Sequence, residues 1–216
     1  MDVKLRRHRA AKRLTLRVPT TGEGPVVTAP PFVSDDQVTR FVEERQAWIA
    51  GALGRLPETI AVTEGTEIPV LGALRVVTVS NGPMGVSGEH LNVRGPETRV
   101  SAQVAAVLKT LARERTGIAL GRYCSRLGRP YSRLTMRDTR GRWGSCTSDG
   151  GIMLSWRLIM TPPEVFDYVV AHEVAHLAEM NHSPAYWAVV AQLYPDFERQ
   201  RAWLKREGSR LHRYRF

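Results

Sequence analysis

The order of apolar and polar positions changes character along the chain. Leu14-Thr15-Leu16-Arg17-Val18 alternates apolar with polar or basic side chains, the two-residue period of a half-buried strand. Residues 3–18 are therefore expected to be β structure, residues 20–24 a turn, and residues 25–29 a second strand. Ser34-Asp35-Asp36-Gln37 has the form of a capping box. It should open a helix of about 20 residues with Phe41, Trp48, Ile49 and Leu53 on its apolar side. Residues 59–95 return to short strands broken by Gly and Pro, at 60–62, 74–79 and 91–93. The pattern changes again at Gly95-Pro96. From Thr98 to about residue 127, Val100, Val104, Val107, Leu108 and Leu111 are spaced for one buried helix face. Gly117 and Gly121 should weaken its second half, and Gly128-Arg129-Pro130 should end it.

Residues 131–136 then read as a strand, and Asp138 to Cys146 as a polar, glycine-rich loop. Within it Trp143 is expected to anchor its Gly-flanked loop by packing. Asp149-Gly150-Gly151 predicts a hairpin turn into a strand over 152–158. Thr161-Pro162-Pro163-Glu164 then has the signature of a helix start, with Thr161 as N-cap and Glu164 completing the box. No Pro or Gly interrupts residues 163–180. Asn181 can close that helix in the left-handed conformation, and Ser183-Pro184 repeats the start signal, so the chain should turn sharply at His182. Short helices are expected over 184–193 and 196–207. The basic, aromatic tail from Gly208 is expected to fray.

The helix expected over 163–180 carries the chemistry. His172-Glu173-Val174-Ala175-His176 places two imidazoles four residues apart, on one face of a helix and one above the other. Two such side chains can share a metal ion. Glu173, beside the first, could serve as general base to a water without being a ligand. A hydrolytic zinc site takes three protein ligands and leaves one position open. His182, brought back by the turn, is the nearest third ligand. Tyr186, Arg142 and Ser145 are candidates to stabilise the oxyanion of the reaction. Glu179 and Asp167 are candidates to orient the imidazoles, and a strand over 152–158 is the candidate to hold an extended substrate by main-chain hydrogen bonds.

Composition narrows the setting. At 216 residues with 43% hydrophobic content, the chain can build a sizeable core. No stretch is long and apolar enough to span a bilayer, and the basic start is not followed by a signal-peptide core, so a cytoplasmic location is expected. Cys124 and Cys146 form no CxxC pair, which excludes a cysteine knuckle. Cys146 could still reach the metal as a fourth ligand. The net charge of +10 is uneven: residues 1–17 hold seven Lys or Arg against one acid, residues 113–142 nine against two, and residues 199–216 seven against one. Three such blocks could form a face for nucleic acid or nucleotide, or a solvated Arg-rich surface.

Arg142-Trp143-Gly144-Ser145-Cys146, the run from Leu154 through the HExxH helix, and Asn181-His182-Ser183-Pro184 with Trp187 closely resemble the YgjP-like metallopeptidases, which are grouped with the SprT-type and WLM-type zinc proteases. The resemblance implies an α+β chain: a β-rich N-terminal lobe over residues 1–95, and a zincin-like catalytic domain over 96–216 with a small sheet and the HExxH helix. It implies one Zn2+ on His172, His176 and His182, Glu173 as base, and protein or peptide as substrate. The third histidine also has metzincin spacing, but Glu179 stands where metzincins have Gly and no Met follows His182, so metzincin membership is rejected. Two other readings compete: a zinc-dependent nucleotide pyrophosphatase or phosphohydrolase, and a non-catalytic metal- or nucleic-acid-binding module. The second is disfavoured because a binding module needs no carboxylate at Glu173.

Overall fold

The computed structural model describes residues 2–19, 24–54 and 58–216. The chain is a mixed α+β structure of several small sheets and helices, divided into two compact units, Met1–Ile60 and Ala61–Phe216. The expected turn at 20–24 lies outside the described residues except for Gly24, whose φ is 79°.

In the first unit, β1 (Lys4–Arg7), β2 (Thr15–Arg17) and β3 (Val26–Ala29) form a sheet in the order β1-β3-β2. β1 runs parallel to β3 and β2 antiparallel to it. Period-two alternation buries Val27 and Ala29 against Val38, with Leu14, Leu16, Phe41 and Val42 packed around them. Ser34 caps α1 (Asp35–Glu43) with the full capping box that the sequence predicts. The single long helix does not form. The chain breaks after Glu43, and α2 (Gln46–Gly54) starts afresh. At the break Arg45 donates to the Phe41 carbonyl and lies 3.9 Å over the Phe41 ring.

After β4 (Ile60–Ala61), at the boundary of the units, come β5 (Glu67–Val70), β6 (Ala73–Val79), β7 (Gly85–Ser87) and β8 (His90–Val93) of the second unit. The last four form a sheet in the order β5-β6-β8-β7. This sheet belongs to the same compact unit as the HExxH helix. β8 packs on α3 (Val100–Leu127), a helix that runs unbroken through Gly117 and Gly121 and ends at Gly128 in the left-handed conformation. Neither interior glycine has a neighbour against it, so each costs helix propensity without breaking the hydrogen-bond ladder.

β9 (Arg133–Arg137), β10 (Gly144–Cys146) and β11 (Gly151–Ser155) form the sheet beside the candidate site. β11 is its centre, parallel to β9 and antiparallel to β10. The strand expected over 152–158 ends at Ser155, and Trp156–Met160 wind into a 3-10 turn buried against α3. The helix that follows, α4 (Pro163–Ala175), starts one residue later than expected. Pro162 takes the cap position, and the Thr161 hydroxyl instead donates 2.7 Å to the Leu158 carbonyl. α4 also ends at Ala175, short of residue 180, with His176 as its C-cap. α5 (Pro184–Leu193) and α6 (Phe197–Glu207) pack on α4.

The C-terminus is not frayed. Residues 208–213 form a 3-10 turn and β12 (Tyr214–Arg215) follows, with Leu211, His212 and Tyr214 buried. Buried Arg157 holds this segment by donating to the carbonyls of Leu211 and Tyr214, while pairing with Asp138 at 2.7 Å. The Val62 N–H adds a bond to the Arg215 carbonyl.

Candidate metal centre

α4 carries Val165, Phe166, Val170 and Val174 into the core at zero exposure. That burial fixes the rotation of the helix, and with it the direction of His172 and His176. Past the cap the chain makes a loose turn to Asn181, whose side-chain oxygen accepts the Ser183 N–H at 3.1 Å. The Ser183 hydroxyl then accepts the Tyr186 N–H and starts α5. This Asx turn followed at once by a cap returns His182 to α4. The result brings the three histidines together. Their ligand-type nitrogens all lie within 4.8 Å of one another, and the Nε2 atoms of His172 and His182 are 3.3 Å apart.

Aromatic side chains hold the cluster. Tyr186, fully buried, stacks on His176 with ring centroids 4.4 Å apart and donates its hydroxyl to the His172 carbonyl at 3.0 Å. Trp187 lies 5.9 Å from His172 and 5.8 Å from His182 between ring centroids. Tyr168, one turn back on α4, meets His172 edge-on. His176 Nδ1 donates to the Glu179 carbonyl at 3.0 Å, which leaves its Nε2 with a lone pair. Glu179 thus meets the cluster through its backbone, not its carboxylate. Asp167 does not: it faces α3, bonded by Arg115 at 3.3 Å and Arg122 at 2.6 Å.

Glu173 is 4% exposed, and its Oε2 has no hydrogen-bond partner. Burial pushes its carboxyl up to about 8, against the pull of the Arg142 charge. Burial likewise drives His172 down to about 3, helped by the charges its neighbours His176 and His182 would carry. His176 is lowered by burial too. Burial thus favours neutral imidazoles at His172 and His176, and with His182 their nitrogens converge into the donor set a divalent cation of borderline softness takes. An all-nitrogen triad beside an unpartnered carboxylate fits a metal ion.

β10 closes the other side of Glu173. Gly144 lies so close that a Cβ there would come within 2.6 Å of both Cγ and Cδ of Glu173. The strand's hydrogen bonds show which of its groups are free. Ser155 N–H donates to Trp143 carbonyl and Thr147 N–H to Gly151 carbonyl, so residues 143, 145 and 147 turn their polar groups to β11. In an antiparallel ladder the intervening residues face the opposite way. Gly144 and Cys146 therefore direct N–H and C=O to the open edge. The strand expected to receive an extended substrate, over 152–158, has β9 on one side and β10 on the other, and its edges are used. The outer edges belong to β9 and β10, and β10 is the edge strand that lies against Glu173.

Alternation places Cys146 on the Gly144 side of β10, toward α4, and Ser145 on the opposite face. Cys146 stays a thiol: burial, then the Glu173 charge, raise it to about 11, and its Sγ is not among the converging nitrogens. Arg142 precedes β10 and is exposed. Trp143 anchors its loop as expected, stacked on His212 at 5.2 Å. Gly208 allows that stack, since a Cβ there would meet the indole at 3.0 Å. Gly144 is the site residue that pattern reading passed over. Its only signal was a glycine directly after Trp143 in the expected loop, where a close backbone approach is one reason for a missing side chain.

A family model described as YgjP-like, metallopeptidase domain, matches residues 12–207. No curated protein matches the chain. Among solved structures, the crystal structure of the metallopeptidase zymogen of Pyrococcus abyssi abylysin aligns at 23% identity and a TM-score of 0.39, covering 47% of this chain and 99% of that one. With a match over nearly its whole length, the chain belongs to the YgjP-like family and carries its metallopeptidase domain.

Proposed function

We propose that the protein is a zinc endopeptidase with His172, His176 and His182 as ligands and Glu173 as general base. The observation that carries the reading is the convergence of three imidazoles next to a buried carboxylate oxygen without a partner. Zinc, when bound there, supplies Lewis acidity toward a carbonyl oxygen and acidifies a water.

The chain's own residues do the rest. Glu179, through its carbonyl, holds the His176 ring in the tautomer that leaves Nε2 free. Tyr186 stacks on the same ring and ties its hydroxyl to the α4 backbone, which makes it a positioning residue for His176. Glu173 Oε2 accepts a proton from the attacking water and returns it to the leaving amine; an affinity for protons poised near neutral suits a group that does both. Gly144 and Cys146 bind the substrate main chain along the open edge of β10. Gly144 has no side chain to hold that strand away from Glu173.

The test compares release of fragments from an unfolded protein with release of phosphate from nucleoside triphosphates, for the wild type and for Glu173→Gln. Fragment release by the wild type, lost in Glu173→Gln with metal content and fold unchanged, is the expected result. Full activity in Glu173→Gln removes the base assignment, and phosphate release without fragments replaces the peptidase reading with a phosphohydrolase.

A further inference from the structure

Strand register sorts the N-terminal cations onto two faces. Val27 and Ala29 of β3 point into the core, so Val26 and Thr28 point outward. Lys4 pairs with Val26 and Arg6 with Thr28, while across β3 Arg17 pairs with Val26 and Thr15 with Thr28. Directly opposed residues share a face. One face of the sheet thus presents Lys4, Arg6 and Arg17 around Thr15 and Thr28. Arg7 checks the assignment: next in line on β1, it reaches the other way, to the carbonyls of Pro30 and Val33 and to Asp35.

The second unit treats its arginines differently. Arg115 and Arg122 pair with Asp167, Arg133 with Asp149, and Arg206 and Arg210 with Glu207. Arg126 and Arg129 donate to the carbonyls of Gln192 and Leu177. Much of that excess charge is tied up in structure. Among the described residues, Lys4, Arg6 and Arg17 have no such partner, and no strand position on their face carries a carboxylate.

We propose that the outer face of the β1-β3-β2 sheet binds the phosphate backbone of nucleic acid through Lys4, Arg6 and Arg17. Same-face residues along a strand are ~6.6 Å apart and adjacent strands ~4.8 Å, so the three cations form a patch that spans several phosphates. Val26 is the face's one apolar strand residue and is half-buried, so nothing is offered to an acyl layer. The face has no aromatic strand residue on which a base could stack. Binding is therefore electrostatic and indifferent to sequence, and it does not depend on the peptidase reading.

The experiment titrates the full chain against a fluorescent ~20-base-pair duplex over a range of salt. The wild type should bind, with affinity falling steeply as salt rises. In Lys4→Gln/Arg6→Gln/Arg17→Gln the slope of log K against log salt should be shallower by about 2.7, because each neutralised phosphate contributes ~0.9. Between ~50 and ~200 mM salt that is an about 40-fold smaller loss of affinity. The charge-conserving Lys4→Arg/Arg6→Lys/Arg17→Lys should keep the wild-type slope, and so should Arg199→Gln/Lys205→Gln on the second unit. The proposal is overturned if the wild type does not bind, if the Gln triple keeps the wild-type slope, if the Arg199/Lys205 variant flattens it equally, or if only phosphatidylserine vesicles are bound.

Discussion

Gly144→Ala tests whether the approach of β10 to Glu173 is part of the site. The added Cβ would stand 2.6 Å from Cγ and Cδ of Glu173, where ordinary contact begins at 3.4 Å. Something must yield by about 0.8 Å, and there are two choices: the Glu173 side chain withdraws, or β10 moves away from α4. Either displaces the carboxylate from the edge along which substrate is proposed to lie. Misplacing a reacting group by about 1 Å costs on the order of 100-fold in rate, or about 2.7 kcal/mol of transition-state stabilisation. Overpacking a buried contact costs about 1–3 kcal/mol of stability besides. The three atoms nearest the added Cβ all belong to Glu173 and none to an imidazole, so metal content should be unchanged. The assay is kcat/KM on an unfolded-protein substrate, with metal content and a denaturation curve measured on the same preparation. A variant that cleaves as fast as the wild type refutes the argument that this contact positions the base. A variant that loses its metal shows that the strain reaches α4 itself.

Tyr186→Phe removes the bond to the His172 carbonyl but keeps the ring on His176. It should cost about 1 kcal/mol in denaturant titrations and leave turnover within about tenfold of the wild type; a loss of 100-fold or more would make the hydroxyl an oxyanion donor instead. Asp167→Asn leaves Arg115 and Arg122 without their carboxylate and should destabilise the fold by about 1–2 kcal/mol, with metal affinity unchanged. A large drop in metal affinity would restore Asp167 as an orienting residue. His212 is held down to about 4 by burial and then by the Arg157 charge, so it stays neutral in the fold while the unfolded chain takes up its proton near ~6.5. Its contribution is therefore lost as pH falls from ~6.5 toward ~4. Its Nδ1 has no partner to lose, so His212→Phe should narrow the Tm gap between neutral and acid pH; parallel Tm profiles for the two proteins would refute this.

Local signals carried a large part of the architecture. Ser34 and Ser183 cap helices as their sequence contexts require, because a cap depends on a few consecutive residues. The apolar spacing of α3 and α4 and the left-handed turns at Gly128 and Gly150 were legible for the same reason. Thr161 shows the limit: its context promised a cap, but the buried Leu158 carbonyl took its hydroxyl. The strand expected over 152–158 formed but stopped at Ser155, since burial of Trp156–Met160 against α3 outweighed β propensity.

The residue types and spacing of His172, Glu173, His176 and His182 were set by the sequence alone, because helical periodicity and one turn relate all four. Tertiary structure decided what surrounds them. Only pairing across the sheet shows that β11 is central and that β10 is an edge strand. Only packing brings Gly144 against a residue 29 positions later, or gives Arg115 and Arg122 rather than an imidazole to Asp167. A pattern along the chain reports which face of an element is buried; it carries no information about which distant element does the burying, and that partner determines proton affinity, free edges and unpaired charge.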